Sequence, residues 1–117
     1  MSRAFAQVSL LHASGAETAD DDGADLAYTP DNAIFVLDIT AYAGTSPLLD
    51  VTIEEKHPLT GVYFVIDTFP QQGEAVATIR RTLAGPIGGV IRASWDVAGS
   101  AGQSFTFSLS VEGKQDT

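Results

Sequence analysis

Apolar residues recur along this chain with a period of two. Between Gln103 and Val111, Phe105, Phe107, Leu109 and Val111 alternate with Ser104, Thr106, Ser108 and Ser110. Successive side chains of an extended chain point to opposite faces, so this segment predicts a strand with one apolar and one hydroxyl face. Leu49, Val51 and Ile53 alternate in the same way with Asp50, Thr52 and Glu54. Short apolar runs at Phe5 to Leu11, Ala33 to Tyr42, Val62 to Phe69, Ala75 to Thr82 and Val90 to Val97 bring the expectation to seven strands, or eight if Leu26 to Thr29 pairs. No window carries the 3.6-residue spacing of an amphipathic helix.

Turn chemistry separates these runs at Gly44 to Pro47, Pro58 to Gly61, Pro70 to Gly73, Gly85 to Gly89 and Gly99 to Gly102. Proline presets φ at the first corner of a turn and glycine takes the positive φ that other residues resist, so Pro-x-x-Gly between strands signals a hairpin. The expected fold is all-β: one antiparallel β-sandwich, jelly-roll-like, with about seven to eight strands. The 117 residues are read as one domain of radius about 13 Å. It comprises an N-terminal strand or arm (1–12), an acidic loop (15–32) and the sandwich (33–114). Its predicted core includes Leu37, Ile39, Val51, Ile53, Ile91, Trp95, Phe105, Phe107 and Leu109.

Laying Asp38 to Lys56 over Asp96 to Lys114 without gaps aligns Asp38 with Asp96, Gly44 with Gly102, Ser46 with Ser104, Glu54 with Glu112 and Lys56 with Lys114. Both segments are therefore expected to play the same strand, turn, strand role.

Charge is the next constraint. The formal net charge is −9, which argues against a nucleic-acid partner, because that affinity comes from Lys and Arg neutralising phosphates. Most of the excess lies between Glu17 and Asp31, where Glu17, Asp20, Asp21, Asp22, Asp25 and Asp31 stand without a basic residue. A solvated loop is expected there. The chain contains no cysteine, which removes disulfides and thiolate metal sites. The longest uncharged stretch, Val97 to Val111, is broken by glycines, Gln103 and serines, so no membrane span is expected.

The search for chemistry assigns no catalytic residue, cofactor or metal. Nucleophile-elbow, phosphate-loop, dinucleotide and zinc-protease motifs are absent. His12 and His57 have no motif partners, and both are expected at solvated strand tips. Asp20-Asp21-Asp22-Gly23-Ala24-Asp25 resembles a calcium loop in composition, but Thr18 occupies the first required ligand position and no glutamate closes the loop. Asp38, Asp50, Asp67 and Asp96 sit at polar phases of strands and are read as solvent-facing. Arg80 and Arg81 project to opposite faces, and Arg92 is isolated. Trp95 shares the phase of Ile91, Ala93 and Val97 and reads as core. The protein is not expected to be an enzyme.

One feature does point outward. Ser104, Thr106, Ser108 and Ser110 form an uncharged face, whereas strand faces in solvent usually carry charges that block pairing with other chains. Small neutral side chains suit close approach by another surface. With Phe5, Val8 and Leu10 of the apolar N-terminal strand, which is suited to strand addition, they are the candidate protein-interaction residues.

A family resemblance joins these pieces. Leu37 to Ala41, Gly44 to Glu55, Phe69-Pro70-Gln71, Ile91 to Trp95 and Ser104 to Val111 together resemble a family of small tailed-bacteriophage proteins encoded among the head genes. The acidic insert Glu17 to Asp31 departs from that pattern. The resemblance implies a non-enzymatic virion structural protein, a head decoration or cement protein on the capsid exterior. Its implied partner is the major capsid protein, with trimers the favoured homo-oligomer. A neck or tail adaptor, a head-fibre base and a carbohydrate-binding sandwich are the alternatives.

Overall fold

The computed structural model describes residues 4–28, 30, 32–83 and 89–116, the side chains of 4–6 and 114–116 excepted. Among these residues there is no helix. The strands are β1 (Ala4–Glu17), β2 (Asp21–Asp22), β3 (Leu26–Ala27), β4 (Ala33–Thr45), β5 (Leu48–Lys56), β6 (Tyr63–Thr68), β7 (Ala77–Leu83), β8 (Val90–Ala98) and β9 (Ala101–Asp116). Sheet A has the order β1-β9-β4-β7, and sheet B the order β2-β8-β5-β6 with β3 also on β8. All pairings are antiparallel.

The pairs are nested. β1 lies with β9, β2 and β3 with β8, β4 with β7, and β5 with β6. The chain is thus a long double ribbon closed at its tip by the β5–β6 hairpin. It is rolled so that β4 also meets β9 and β5 also meets β8. This winding is a jelly roll, with β2 and β3 acting as one interrupted strand.

The period-two pattern explains why the roll closes. Phe35, Leu37 and Ile39 of β4 and Phe105, Phe107, Leu109 and Val111 of β9 are buried against Leu49, Val51 and Ile53 of β5 and Ile91, Ala93, Trp95 and Val97 of β8. Every residue of the predicted core is buried. A one-residue slip of β9 would turn Phe105, Phe107 and Leu109 to solvent, at roughly 1.5–3 kcal/mol for each large side chain.

The turns divide into two kinds. Pro58 to Gly61 closes a true hairpin, with the Gly61 N–H donating to His57 O at 2.9 Å and the His57 N–H to Val62 O at 2.8 Å. Pro70 to Gly73 does not close one, because it carries the chain from β6 in sheet B to β7 in sheet A. Turn residues set a local reversal, whereas the choice of sheet depends on which apolar face the next strand must cover. Of the turn at Gly85 to Gly89, only Gly89 lies within the described residues, as do only Leu26 to Tyr28 of the Leu26 to Thr29 run.

The two aligned segments both switch sheets, in opposite directions, and their corners sit side by side. Gly44 (φ 103°) and Gly102 (φ 61°) are both left-handed, and the Ser100 N–H donates to Thr45 O at 2.9 Å. A Cβ on Gly44 would lie 2.7 Å from Gln103 N, so the corners are packed as well as bent. Thr40 to Thr45, all exposed, run on beside Ala101 to Thr106, of which Phe105 stays in the core and Ala101 and Gly102 are exposed. The molecule has extents of 54 × 32 × 20 Å and a radius of gyration of 15.0 Å, longer than a compact chain of this length.

Candidate functional site

The outer face of sheet A brings the sequence candidates together. The register aligns Val8 with Glu112, Ile34 and Thr82, then Leu10 with Ser110, Val36 and Arg80, then Ser108 with Asp38 and Thr78. Thr106 and Ser104 continue β9 toward the Gly102 corner. Val8 is 72% and Leu10 59% exposed, and Ile34 and Val36 are half-buried. Six of the seven candidates, all except Phe5, therefore lie on one face. Phe5 pairs with Gln115 along the backbone, and its side chain is outside the described residues. β9 is an interior strand of sheet A rather than an edge, so its hydroxyl row is flanked by β1 and β4. Sequence reasoning missed Ile34 and Val36. Their signal was that the Ala33 to Ile39 run is apolar on both phases, the mark of a strand covered or coverable on both sides.

Sheet B's outer side is different in kind. Arg92 bonds Glu54 at 2.9 Å, reaches Asp22 at 3.5 Å and lies 3.4 Å over the Tyr63 ring. Tyr63 Oη donates to Asp25 at 2.6 Å, and Lys56 pairs with the same carboxylate at 3.5 Å. Asp20 accepts the Val97 N–H at 2.8 Å. Arg92 is therefore the centre of a network and not isolated, a correction that only strand order reveals. Asp20, Asp21, Asp22 and Asp25 of the acidic segment are exposed as expected, Glu17 is half-buried and Asp31 lies outside the described residues. The segment is not a free loop: Tyr28 and Pro30 are buried, and it is tethered along β8 through β2, β3 and these bonds. The hydrogen bond from Tyr63 holds Asp25 below the usual carboxylate range, with the Lys56 charge adding.

Two further sequence expectations are corrected. Asp67 faces the interior, where Arg81 pairs with it at 2.9 Å and its side chain is only 9% exposed. The cause is a bulge at Ile66, which shifts register between Ile53 and Glu54 and inverts the phase of the rest of β6. This ion pair joins β7 of sheet A to β6 of sheet B. His12 is not at a solvated tip, because β1 continues through bulges to Glu17. Its ring stacks on Phe107 at 4.3 Å and meets Trp95 edge-on at 4.7 Å. Its Nδ1 lies 2.9 Å from Phe107 O and its Nε2 3.2 Å from Glu17, so both nitrogens face acceptors. His57 is exposed as expected, and its Nδ1 accepts the Leu59 and Thr60 N–H groups at 3.2 Å, capping the hairpin turn.

Asp20, Asp21, Asp22, Ser94, Trp95 and Asp96 line an open depression of about 260 Å³ beside β8. Among the described residues, no group of three or more His, Cys, Asp or Glu is arranged to hold a metal ion. Asp96 stands directly opposite Asp50. Burial, then the charges of Asp20, Asp50 and Asp22, raise its pKa above 3.8. The folded state thus holds the Asp96 proton more tightly than the unfolded chain, and stability falls as pH rises through the window from 3.8 to the folded value. Asp96→Asn is expected to stabilise the fold at pH 7 by about 0.2–1 kcal/mol, the scale of a like-charged cross-strand pair. In urea unfolding the gain should vanish below pH 3.8; an equal gain at both pH values would remove the repulsion argument.

Comparison of the chain with protein-family models, curated proteins and solved structures finds no match. Fold and surface define its class on their own terms: a single jelly-roll β-sandwich with a packed interior, one near-neutral outer face and one acidic, ion-paired outer face.

Proposed function

We propose that the protein is a non-enzymatic virion structural protein, a head decoration protein docked on the capsid exterior through the outer face of sheet A, with the major capsid protein as its partner. The charge asymmetry of the two faces carries this proposal. Asp20, Asp21, Asp22, Asp25, Asp50, Glu54 and Asp96 gather on the sheet B side with Lys56 and Arg92, while sheet A presents Val8, Leu10, Ile34, Val36 and the β9 hydroxyls with, among the described side chains, only Asp38, Glu112 and Arg80 as charges. Carboxylates are costly to bury at a contact without partners, so the neutral face is the one that can dock and the acidic one stays in water. The family resemblance supplies the capsid as partner. The jelly roll itself selects little, since viral shell proteins and lectins both use it. Many copies, each bound weakly at capsomer joints, would stiffen the shell by avidity rather than by one tight site.

Cosedimentation with shells lacking the protein tests this. Val8→Lys with Leu10→Lys is expected to weaken binding at least about tenfold, a loss of about 1.4 kcal/mol. Replacing Asp20, Asp21, Asp22 and Asp25 by Asn should change it less than about threefold, with little dependence on salt. The opposite ranking would make the acidic side the docking surface.

A further inference from the structure

A second exposed apolar surface lies at the tip of the rolled ribbon, away from the sheet A face. Leu59, Val62, Phe64 and Val65 are 90, 61, 43 and 55% exposed. They belong to the β5–β6 hairpin, and β6 is the outermost strand of sheet B, paired only to β5. Its far edge therefore presents backbone N–H and C=O groups to which sheet B offers no partner strand. The other edges are guarded by recognised devices. β7 carries Arg80 and Arg81, β2 and β3 are two residues each, and β1 is broken by bulges. Val62 to Ile66 contains no charge, proline or glycine.

We propose that this edge pairs with the same edge of a second copy, β6 against β6 in antiparallel fashion about a two-fold axis through Phe64. Directly opposite residues of an antiparallel pair share a face, so the axis sets Phe64 against the partner's Phe64, Tyr63 against the partner's Val65, and Val62 against the partner's Ile66. Every cross-strand pair is then aromatic or branched aliphatic, the combinations that stabilise sheets most. Charge agrees with this register in the rows beside the axis. Lys56 pairs with Tyr63, and Glu54 with Val65, in the β5–β6 ladder. The two rows that flank the axis therefore each start at a lysine and end at a glutamate of the partner, while the row on the axis carries Glu55 at both ends, separated by the two phenylalanines. A foreign partner would have to match that alternation, whereas a second copy matches it by symmetry. The two sheets B join into one continuous sheet, leaving both sheet A faces uncovered, so this pairing is independent of the docking proposal. Contact between two short strands falls below about 1,200 Å² in total, the range of weak, reversible association.

Analytical ultracentrifugation of the full chain tests the idea. The expected result is a reversible dimer with a dissociation constant on the order of 10–100 μM. Val65→Lys should raise that constant at least about tenfold without lowering the melting temperature, since Val65 is exposed, and Val8→Lys should leave it unchanged. Because the chain has no cysteine, Phe64→Cys gives a direct test of the axis. Opposite residues of a pair lie about 4.5–5.5 Å apart at Cα, within disulfide reach. Mild oxidation should therefore cross-link Phe64→Cys and not the more exposed control Val76→Cys. A monomer at all concentrations, a dimer that survives Val65→Lys or is lost in Val8→Lys, or a dimer whose Phe64→Cys form does not cross-link would each overturn the proposal.

Discussion

Trp95→Ala should lose about 3–5 kcal/mol of stability, among the largest expected for any single side chain here. Trp95 is buried where the sheets meet, edge-on to Phe107 at 5.6 Å and to His12 at 4.7 Å. Removing the indole leaves a cavity whose walls include an interior strand of each sheet, which cannot both collapse into it. Its Nε1 is buried and has no acceptor among the described residues. An unpaired buried donor costs about 1–3 kcal/mol, so Trp95→Phe deletes a liability along with part of the ring. That variant should recover more than half of the alanine loss. Circular dichroism in a denaturant series is the measurement, because Trp95 is the sole tryptophan and its fluorescence disappears with it. A loss below about 1 kcal/mol for Trp95→Ala would place the ring at the surface.

Gly113→Ala is expected to destabilise by about 3 kcal/mol or more, the upper range for overpacking. Gly113 is buried on β9, and a Cβ there would overlap Tyr28 Oη and the Asn32 carbonyl oxygen and come within 2.8 Å of Pro30 Cβ. Tyr28 is fully buried and donates its hydroxyl to Asn32 O at 2.6 Å. Burial, with the Glu112 charge adding, pushes its phenol up from 10.0 to about 12. A raised phenol pKa means the neutral form is favoured in the fold, so stability falls as pH climbs from 10 toward 12. If alanine expels the ring, ultraviolet titration should show Tyr28 ionising near 10 in whatever fraction remains folded. An alanine variant with unchanged stability and an unshifted titration would contradict the close packing of Gly113 against Tyr28.

Both sites show what was legible beforehand. Trp95 was readable as core because its phase matches Ile91, Ala93 and Val97. Nothing near Gly113 announced Tyr28, which comes from a segment 85 positions earlier by number, in the stretch read as acidic loop. The same limit explains Asp67 and His12. Each lies just past a bulge, and an extra residue inverts side-chain phase without leaving a mark in the alternation. For the interaction face, the hydroxyl row of β9 and the apolar N-terminal strand were both visible, and strand order placed them together. The exposed Phe64 and Val65 were hidden inside a run that looks like any buried strand, because periodicity does not say which strand ends at a sheet edge.

By itself, the sequence determined the features that local geometry dictates. Period two makes strands, proline and glycine make reversals, and matched apolar phases make a two-sheet core, because each depends on a few neighbouring residues and the fixed alternation of an extended chain. Only the tertiary structure decided the rest. The nested pairing of β1 with β9 and β5 with β6, the recruitment of the acidic segment onto β8 by Arg92, Tyr63 and Lys56, and the contrast between a neutral and an acidic face all depend on contacts between distant residues. Their outcome is set by which closure of the whole ribbon buries the most apolar surface while leaving the carboxylates in water or paired.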